Sequence, residues 1–155
     1  MLRPYNIQNN DSGEYRFVTD NGVHYVAMFL EVAFPSSGRV FSFLFDIEDG
    51  KEKAVYDNRI EETIVTIMND FWKNDSNVVF LVCESDRRKP GARMRLFNRW
   101  YNKWNVDGLI KKIDRVSDIN GLNIGLYASL MYHKDNALSG LYENDFNEML
   151  ECLNR

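Results

Sequence analysis

Hydrophobic and polar positions alternate through the first third of the chain in a pattern that predicts a meander of three β-strands. Residues 15–19 form the first strand, and the Asp-Asn-Gly sequence at residues 20–22 is typical of a tight hairpin turn. Residues 23–34 are apolar on both faces, which predicts a strand inside the sheet. Residues 40–47 alternate again, and one face of that strand carries Phe41, Phe43, Phe45 and Ile47.

The spacing then changes to a helical period over residues 58–72. Apolar residues recur three and four positions apart, which predicts an amphipathic helix: Ile60, Ile64, Ile67 and Phe71. Asn58, with Glu61 three residues later, has the form of a capping box and predicts that the helix starts there. We expect Glu61 and Glu62 to face away from the core.

The second half of the chain alternates between strands and helices. Residues 78–83 are rich in β-branched residues and predict a buried strand, and a helix follows from residue 91 or 92 to residue 104. Residues 109–119 also fit a helical repeat, but the Asn-Gly pair after them favours a strand and a hairpin. A strand from residue 122 and a helix over residues 141–153 complete the chain.

The predicted element order is βββαβαββα. This order predicts an α+β fold in which three helices pack on a mostly antiparallel sheet of about six strands. At 155 residues, of which 45% are hydrophobic, the chain is large enough to fold as one domain over residues 1–155.

Cysteine content and the N-terminal sequence predict the compartment. Cys83 and Cys152 are too few for a disulfide framework. The N-terminus lacks the apolar core of a signal peptide, and no apolar run reaches the roughly 20 residues that span a bilayer. We therefore expect a cytoplasmic protein without a membrane segment, whereas the oligomeric state stays open.

One segment departs from the acidic character of the rest. Residues 87–103, here called the basic segment, contain no acid and seven cations: Arg87, Arg88, Lys89, Arg93, Arg95, Arg99 and Lys103. Because the chain has a net charge of −4 and this segment carries +7, the remaining residues carry −11. This separation of charge points to an anionic ligand, an acidic partner or the carboxylates of the protein itself.

The basic segment has two interpretations. A helix that begins near Gly91 points free N–H groups and the positive end of its dipole at the preceding residues, where a phosphate or carboxylate would also meet arginine side chains. Alternatively, Glu84 and Asp86 neutralise part of the segment and the remaining cations face solvent. Arg93 falls on the apolar side of the helix, so if it is buried it requires a partner.

Other kinds of site have weaker support. Asp46, Glu48, Asp49 and Glu52 form a carboxylate-rich loop, but the ligand spacing of a metal site is missing and we expect no metal and no cofactor. The basic segment could contact nucleic-acid phosphates, with Trp100, Tyr101 and Trp104 stacking on bases if exposed. Repulsion by the acidic remainder of the chain argues against that partner.

Residues 88–93 resemble the pyrophosphate loop of GCN5-related acetyltransferases, which has the pattern Gln/Arg-x-x-Gly-x-Gly/Ala. Arg88 and Gly91 match this pattern, whereas Arg93 occupies the Gly/Ala position and Pro90 lacks an amide hydrogen. The resemblance covers six residues and implies coenzyme A binding and acetyl transfer.

Three blocks also resemble an uncharacterised family of small bacterial proteins, found mainly in the Bacteroidota. These blocks are residues 15–25, residues 59–64 and residues 83–100. The resemblance implies a single cytosolic domain and carries no known activity or catalytic residues.

The sequence therefore favours a non-enzymatic binding module. Its predicted binding residues are Arg87, Arg88, Lys89, Gly91, Arg93, Arg95, Arg99 and Lys103, and its partner is an acidic protein or a small anionic ligand. An acetyltransferase-like enzyme and a nucleic-acid-binding protein are the two alternatives.

Overall fold

The structure is a computed structural model that describes residues 2–10, 13–35, 38–48, 56–84, 92–119 and 124–153. Its elements, in chain order, are β1 (Gln8–Asn9), β2 (Glu14–Val18), β3 (His24–Phe34), β4 (Gly38–Ile47), α1 (Asn58–Phe71), β5 (Val78–Glu84), α2 (Ala92–Trp104), β6 (Ile110–Ile119), β7 (Ile124–His133) and α3 (Ser139–Leu153).

All the strands belong to one seven-stranded sheet in the order β1-β2-β3-β4-β5-β7-β6. Neighbouring strands run antiparallel except β4 and β5, which run parallel. The predicted α+β class and the order of elements are confirmed. The strand predicted over residues 109–119 is confirmed as β6, and β1 is a seventh strand that the prediction omitted.

The Asp-Asn-Gly sequence at residues 20–22 lies in the hairpin between β2 and β3. The amide of Gly22 donates to the carbonyl oxygen of Thr19 at 2.9 Å, and Gly22 has a φ of 79°, which favours glycine. The amide of Thr19 donates to the carbonyl oxygen of Val23 at 3.0 Å. The predicted hairpin is therefore confirmed, and it brings β2 and β3 into register.

The sheet packs on both faces. Helices α1 and α2 contribute to the larger cluster of buried residues, with side chains from β2, β3, β4, β5 and β7. Helix α3 packs on the opposite face, where Phe146 is fully buried and contacts the edge of Phe80 on β5. Strand β7 lies between β5 and β6, which explains why residues 126–132 are buried on both faces.

The start of α1 differs by one residue from the prediction. Asp57, and not Asn58, is the N-cap, because its carboxylate accepts a hydrogen bond of 3.0 Å from the amide of Ile60. The same carboxylate accepts a hydrogen bond of 2.7 Å from the hydroxyl of Tyr5. This contact, 52 residues away in sequence, fixes Asp57 as the cap.

The parallel pair β4 and β5 is joined by only two residue pairs, Phe41 with Val79 and Ser42 with Phe80. Both strands continue beyond these pairs, β4 to Ile47 and β5 to Glu84, without further pairing to each other. The facing edges of the two strands beyond these pairs are therefore not paired with each other, and this unpaired stretch is called the gap between β4 and β5. Leu44 and Val82, which follow the paired residues, are 45% and 40% exposed.

Among the helices of the described residues, none is both long enough and apolar enough to cross a membrane.

Candidate binding surface

Helix α2 contains the second half of the basic segment and has an apolar and a charged side, as its periodicity predicts. Trp100 is 1% exposed and contacts the edge of Phe45 on β4. Arg95, Arg99 and Lys103 are exposed on the opposite side. The apolar side therefore fixes the helix on the sheet and presents these three cations away from it.

Two of these cations bind carboxylates of α1. Arg99 Nε donates to Glu61 Oε1 at 2.8 Å, and Lys103 Nζ lies 3.4 Å from Glu61 Oε2. Lys103 also contacts the carboxylate of Glu62, and Arg99 Nη2 donates to the hydroxyl of Tyr56 at 2.9 Å. The interpretation that the protein's own carboxylates balance the basic segment therefore fits Arg99 and Lys103.

The prediction that Glu61 faces away from the core is wrong. Glu61 is buried between α1 and α2, because Arg99 and Lys103 satisfy its charge from the neighbouring helix. Hydrogen bonding to Glu61 raises the pKa of Arg99, and hydrogen bonding to Glu62 raises the pKa of Lys103. Both cations are thus held in their charged form.

The first half of the basic segment lies mostly outside the described residues. Arg87, Arg88, Lys89 and Gly91 belong to that part, so their predicted role stays a prediction. The backbone of Arg93 lies in the first turn of α2, but its side chain is outside the described part, and its predicted burial is therefore untested.

The two helices on this face begin with opposite charges. The N-terminus of α1 is capped by Asp57 and has Glu61 in its first turn, which is the favourable arrangement for the helix dipole. The first turn of α2 contains no acid, and Arg93 and Arg95 follow its first residue. The first turn of α2 therefore lacks the acid that complements the dipole at the start of a helix.

A polar cluster lies between α2 and the hairpin of β6 and β7. Lys112 on β6 has a side chain that is only 4% exposed. Its Nζ donates to Asn98 Oδ1 on α2 and to the hydroxyl of Tyr127 on β7, each at 2.6 Å, and also contacts the carboxylate of Asp114. Burial lowers the pKa of Lys112, while Asp114 opposes that shift.

The Lys112 cluster was not predicted from the sequence, although a signal for it existed. Alternation along β6 places Ile110, Lys112 and Asp114 on the same face, and Ile110 is buried against α2. A lysine and an aspartate two residues apart on an inward face indicate a buried polar cluster.

Among the described residues, no three His, Cys, Asp or Glu side chains come together as a possible metal site. Asp49 and Glu52, two of the four carboxylates considered from the sequence, lie outside the described residues.

The model of a protein family of unknown function matches residues 56–149. The match covers more than half of the chain and extends from just before α1 into α3. The chain belongs to DUF6169. The DUF6169 match confirms the resemblance to an uncharacterised family, whereas the bacterial origin stays a prediction. The matched residues include both α2 and the Lys112 cluster, but the family assigns no activity to either of them. Neither a curated protein nor a solved structure matches the chain.

Proposed function

We propose that this member of DUF6169 is a non-enzymatic binding module that binds an anionic group at the start of α2. The group belongs to a small anionic ligand or to an acidic protein. The first half of the basic segment, from Arg87 to Arg95, supplies the binding residues. Arg99 and Lys103 are not among them in the unliganded protein, because Glu61 and Glu62 hold both cations.

The observation that carries the proposal is the difference between the two helix starts. An acid caps α1, which closes its N-terminus to an external anion. The start of α2 instead combines cationic residues with the positive end of the helix dipole. An anion among the first backbone amides of α2 would complement both the helix dipole and these cationic residues.

The test is a thermal-shift measurement with inorganic phosphate, nucleotides, acetyl-CoA and a polyglutamate peptide, at low and moderate salt. We expect at least one of these anions to stabilise the protein. The variant in which Arg87, Arg88 and Lys89 are all changed to Ala should lose that stabilisation and keep its own melting temperature.

A matched control variant changes three exposed cations outside the basic segment to Ala: Arg39, Arg115 and Lys134. This control should retain the anion-dependent shift, because the net charge changes equally in both variants. Equal losses in the two variants would reduce the effect to nonspecific screening and contradict the proposal.

An acetyltransferase-like enzyme is the second candidate, and the gap between β4 and β5 favours it. Coenzyme A joins a pyrophosphate to a narrow arm with two amide groups. The facing edges of β4 and β5 beyond Ser42 and Phe80 are not paired to each other, so their backbone groups are available to such an arm. The Arg93 and Pro90 departures from the loop pattern count against this candidate.

Comparison of acetyl-CoA with adenosine 3′,5′-bisphosphate, which lacks the arm, separates the two candidates. At equal concentrations, an enzyme that holds the arm in the gap is stabilised far more by acetyl-CoA than by the bisphosphate. Acetyl-CoA at 100 times its dissociation constant stabilises the folded state by about 2.7 kcal/mol. A module that binds only the anionic group responds similarly to both compounds.

A further inference from the structure

A cleft of about 530 Å³ opens at the far end of the sheet from α3, between the N-terminal segment, β2 and the start of α1. Its volume falls within the range of small-molecule sites. The charged groups on its walls are Arg16, Asp20, His24, Glu48 and Arg59. It shares no residue with the basic segment, so it is independent of the proposed function.

Arg59 is held in a fixed orientation at the wall of this cleft. Its Nη1 donates to both carboxylate oxygens of Asp20, at 3.0 and 3.2 Å, and its Nε donates to the carbonyl oxygen of Arg3 at 2.9 Å. The guanidinium lies over the ring of Tyr5, 3.9 Å from its centroid. The Tyr5 hydroxyl is in turn held by Asp57, so the cation is preorganised.

Arg16 supplies a second fixed cation from β2. Its Nε donates to Glu48 Oε1 at 2.8 Å, and its Nη1 donates to Glu14 Oε2 at 2.5 Å. Hydrogen bonding to Glu48 raises the pKa of Arg16, which therefore stays charged. The Arg16–Glu48 pair is more than one third exposed, so a ligand can reach both partners.

The charges of the cleft indicate the class of ligand. Arg16 and Arg59 balance Asp20 and Glu48, which gives these four groups a net charge of zero. A simple anion or cation is attracted by one pair of groups and repelled by the other. A molecule with both charges is attracted by the arginines and by the carboxylates. Replacing an ion pair within the protein by ion pairs with such a ligand costs little, because exposed ion pairs contribute only about 0–1 kcal/mol.

We propose that this cleft binds a small zwitterion, a free amino acid or short peptide whose amino and carboxyl groups are both uncapped. The ligand carboxylate lies against Arg16, and its ammonium lies against Glu48, which Arg16 binds in the free protein. The Arg59–Asp20 pair forms another wall of the cleft. Val18, which also lines the cleft and is exposed, faces the apolar part of the ligand.

Backbone amide NMR of the ¹⁵N-labelled protein tests this proposal. One probe is a mixture of free amino acids and dipeptides, and the control is the same mixture N-acetylated and C-amidated. We expect the uncapped mixture to shift amides of residues 16–24, 48 and 59, and the capped mixture to require about tenfold higher concentration.

Arg16→Gln and Glu48→Gln should each abolish these shifts. Arg39→Gln is the matched control, since Arg39 forms an exposed pair with Glu31 on the same sheet outside the cleft. No shift at millimolar concentration, equal shifts with both mixtures, or equal losses in Arg39→Gln would overturn the proposal. Amide spectra of the unliganded variants establish that each one is folded.

Discussion

Helix α1 contacts the sheet through a stripe of buried aliphatic and aromatic residues and begins at an acidic cap. Helix α2 covers the same face, also through buried aromatic residues such as Trp100, and makes polar contacts with β6 and with α1. Asn98 receives a hydrogen bond from the buried Lys112, and Arg99 and Lys103 bind carboxylates of α1. The N-terminus of α2 is basic, where α1 is acidic.

This difference suggests separate roles for the two helices. The local electrostatics of α1 agree with its packing, as expected for an element that serves stability. The first turn of α2 lacks such an acid and carries arginines in its sequence, and departures of this kind concentrate at functional sites. Four sets of substitutions test whether the difference is real.

The largest expected effect comes from Lys112→Met. The change removes the hydrogen bonds that Lys112 donates to the Tyr127 hydroxyl and the Asn98 amide oxygen, and should lower the free energy of unfolding by about 2–3 kcal/mol. Lys111→Met is the matched control on the opposite, exposed side of β6, and should cost less than about 0.5 kcal/mol. Urea unfolding of both variants measures these values, and equal costs would contradict the assigned burial.

The same variant tests the pKa of Lys112. Because burial lowers this pKa in the folded protein, the unfolded chain binds more protons between the lowered value and the usual value of about 10.4. In that range the stability of the wild type should rise with pH relative to Lys112→Met. A stability difference that stays constant or falls with increasing pH would show that Lys112 does not titrate in this way.

Asp57→Ala should have the next largest effect. It removes the cap of α1 and the acceptor of the Tyr5 hydroxyl, and should cost about 1–2 kcal/mol. Asn58→Ala, at the position that the sequence pattern favours as the cap, should cost less than about 0.5 kcal/mol. Thermal and urea unfolding compare the two, and the reverse order would restore Asn58 as the cap.

Glu61→Gln tests the ion pairs between α1 and α2 and their effect on anion binding. The loss of two ion pairs with partly exposed cations should cost about 1 kcal/mol, whereas Glu62→Gln should cost less. The change also frees Arg99 from its carboxylate partner, while Lys103 keeps its contact with Glu62, and should strengthen phosphate binding, measured by calorimetry. Unchanged or weaker phosphate binding in Glu61→Gln would contradict a site on α2.

Tyr15→Phe should have the smallest effect, about 0.5 kcal/mol at neutral pH, since the Tyr15 hydroxyl donates to Asp70 on α1 at 3.0 Å. Burial and this hydrogen bond raise the pKa of Tyr15 from 10.0 to about 12. The stabilisation is therefore present below pH 10.0 and lost as pH rises through about 12. The advantage of the wild type over Tyr15→Phe should shrink over that range, as followed by circular dichroism.

The fold was predictable where hydrophobic spacing carries the information. Strand alternation and the Asn-Gly pair identified β6 despite its partial helical repeat, and the stripe of α1 located that helix. Strand β1 escaped prediction because Gln8 and Asn9 are both polar and exposed. Only their pairing with β2 makes them a strand.

Features that depend on contacts between distant segments were harder to predict. The choice of Asp57 over its neighbour depends on Tyr5, and the burial of Glu61 depends on cations from the next helix. Helical periodicity alone contains neither fact. The Lys112 cluster was accessible from the alternation of β6, and the cleft was not, because its charged residues come from separate elements.

The two residue pairs between β4 and β5 have a consequence for how the sheet opens. Strands β1, β2, β3 and β4 form one group, in which each strand pairs with its neighbour in the chain. Strands β5, β7 and β6 form a second group, built from residues 78–133. Within the described strands, the pairs Phe41–Val79 and Ser42–Phe80 join the two groups through the backbone. Amide hydrogen exchange should therefore resolve two cooperative units, separated along this line and kept together mainly by the helices packed across it.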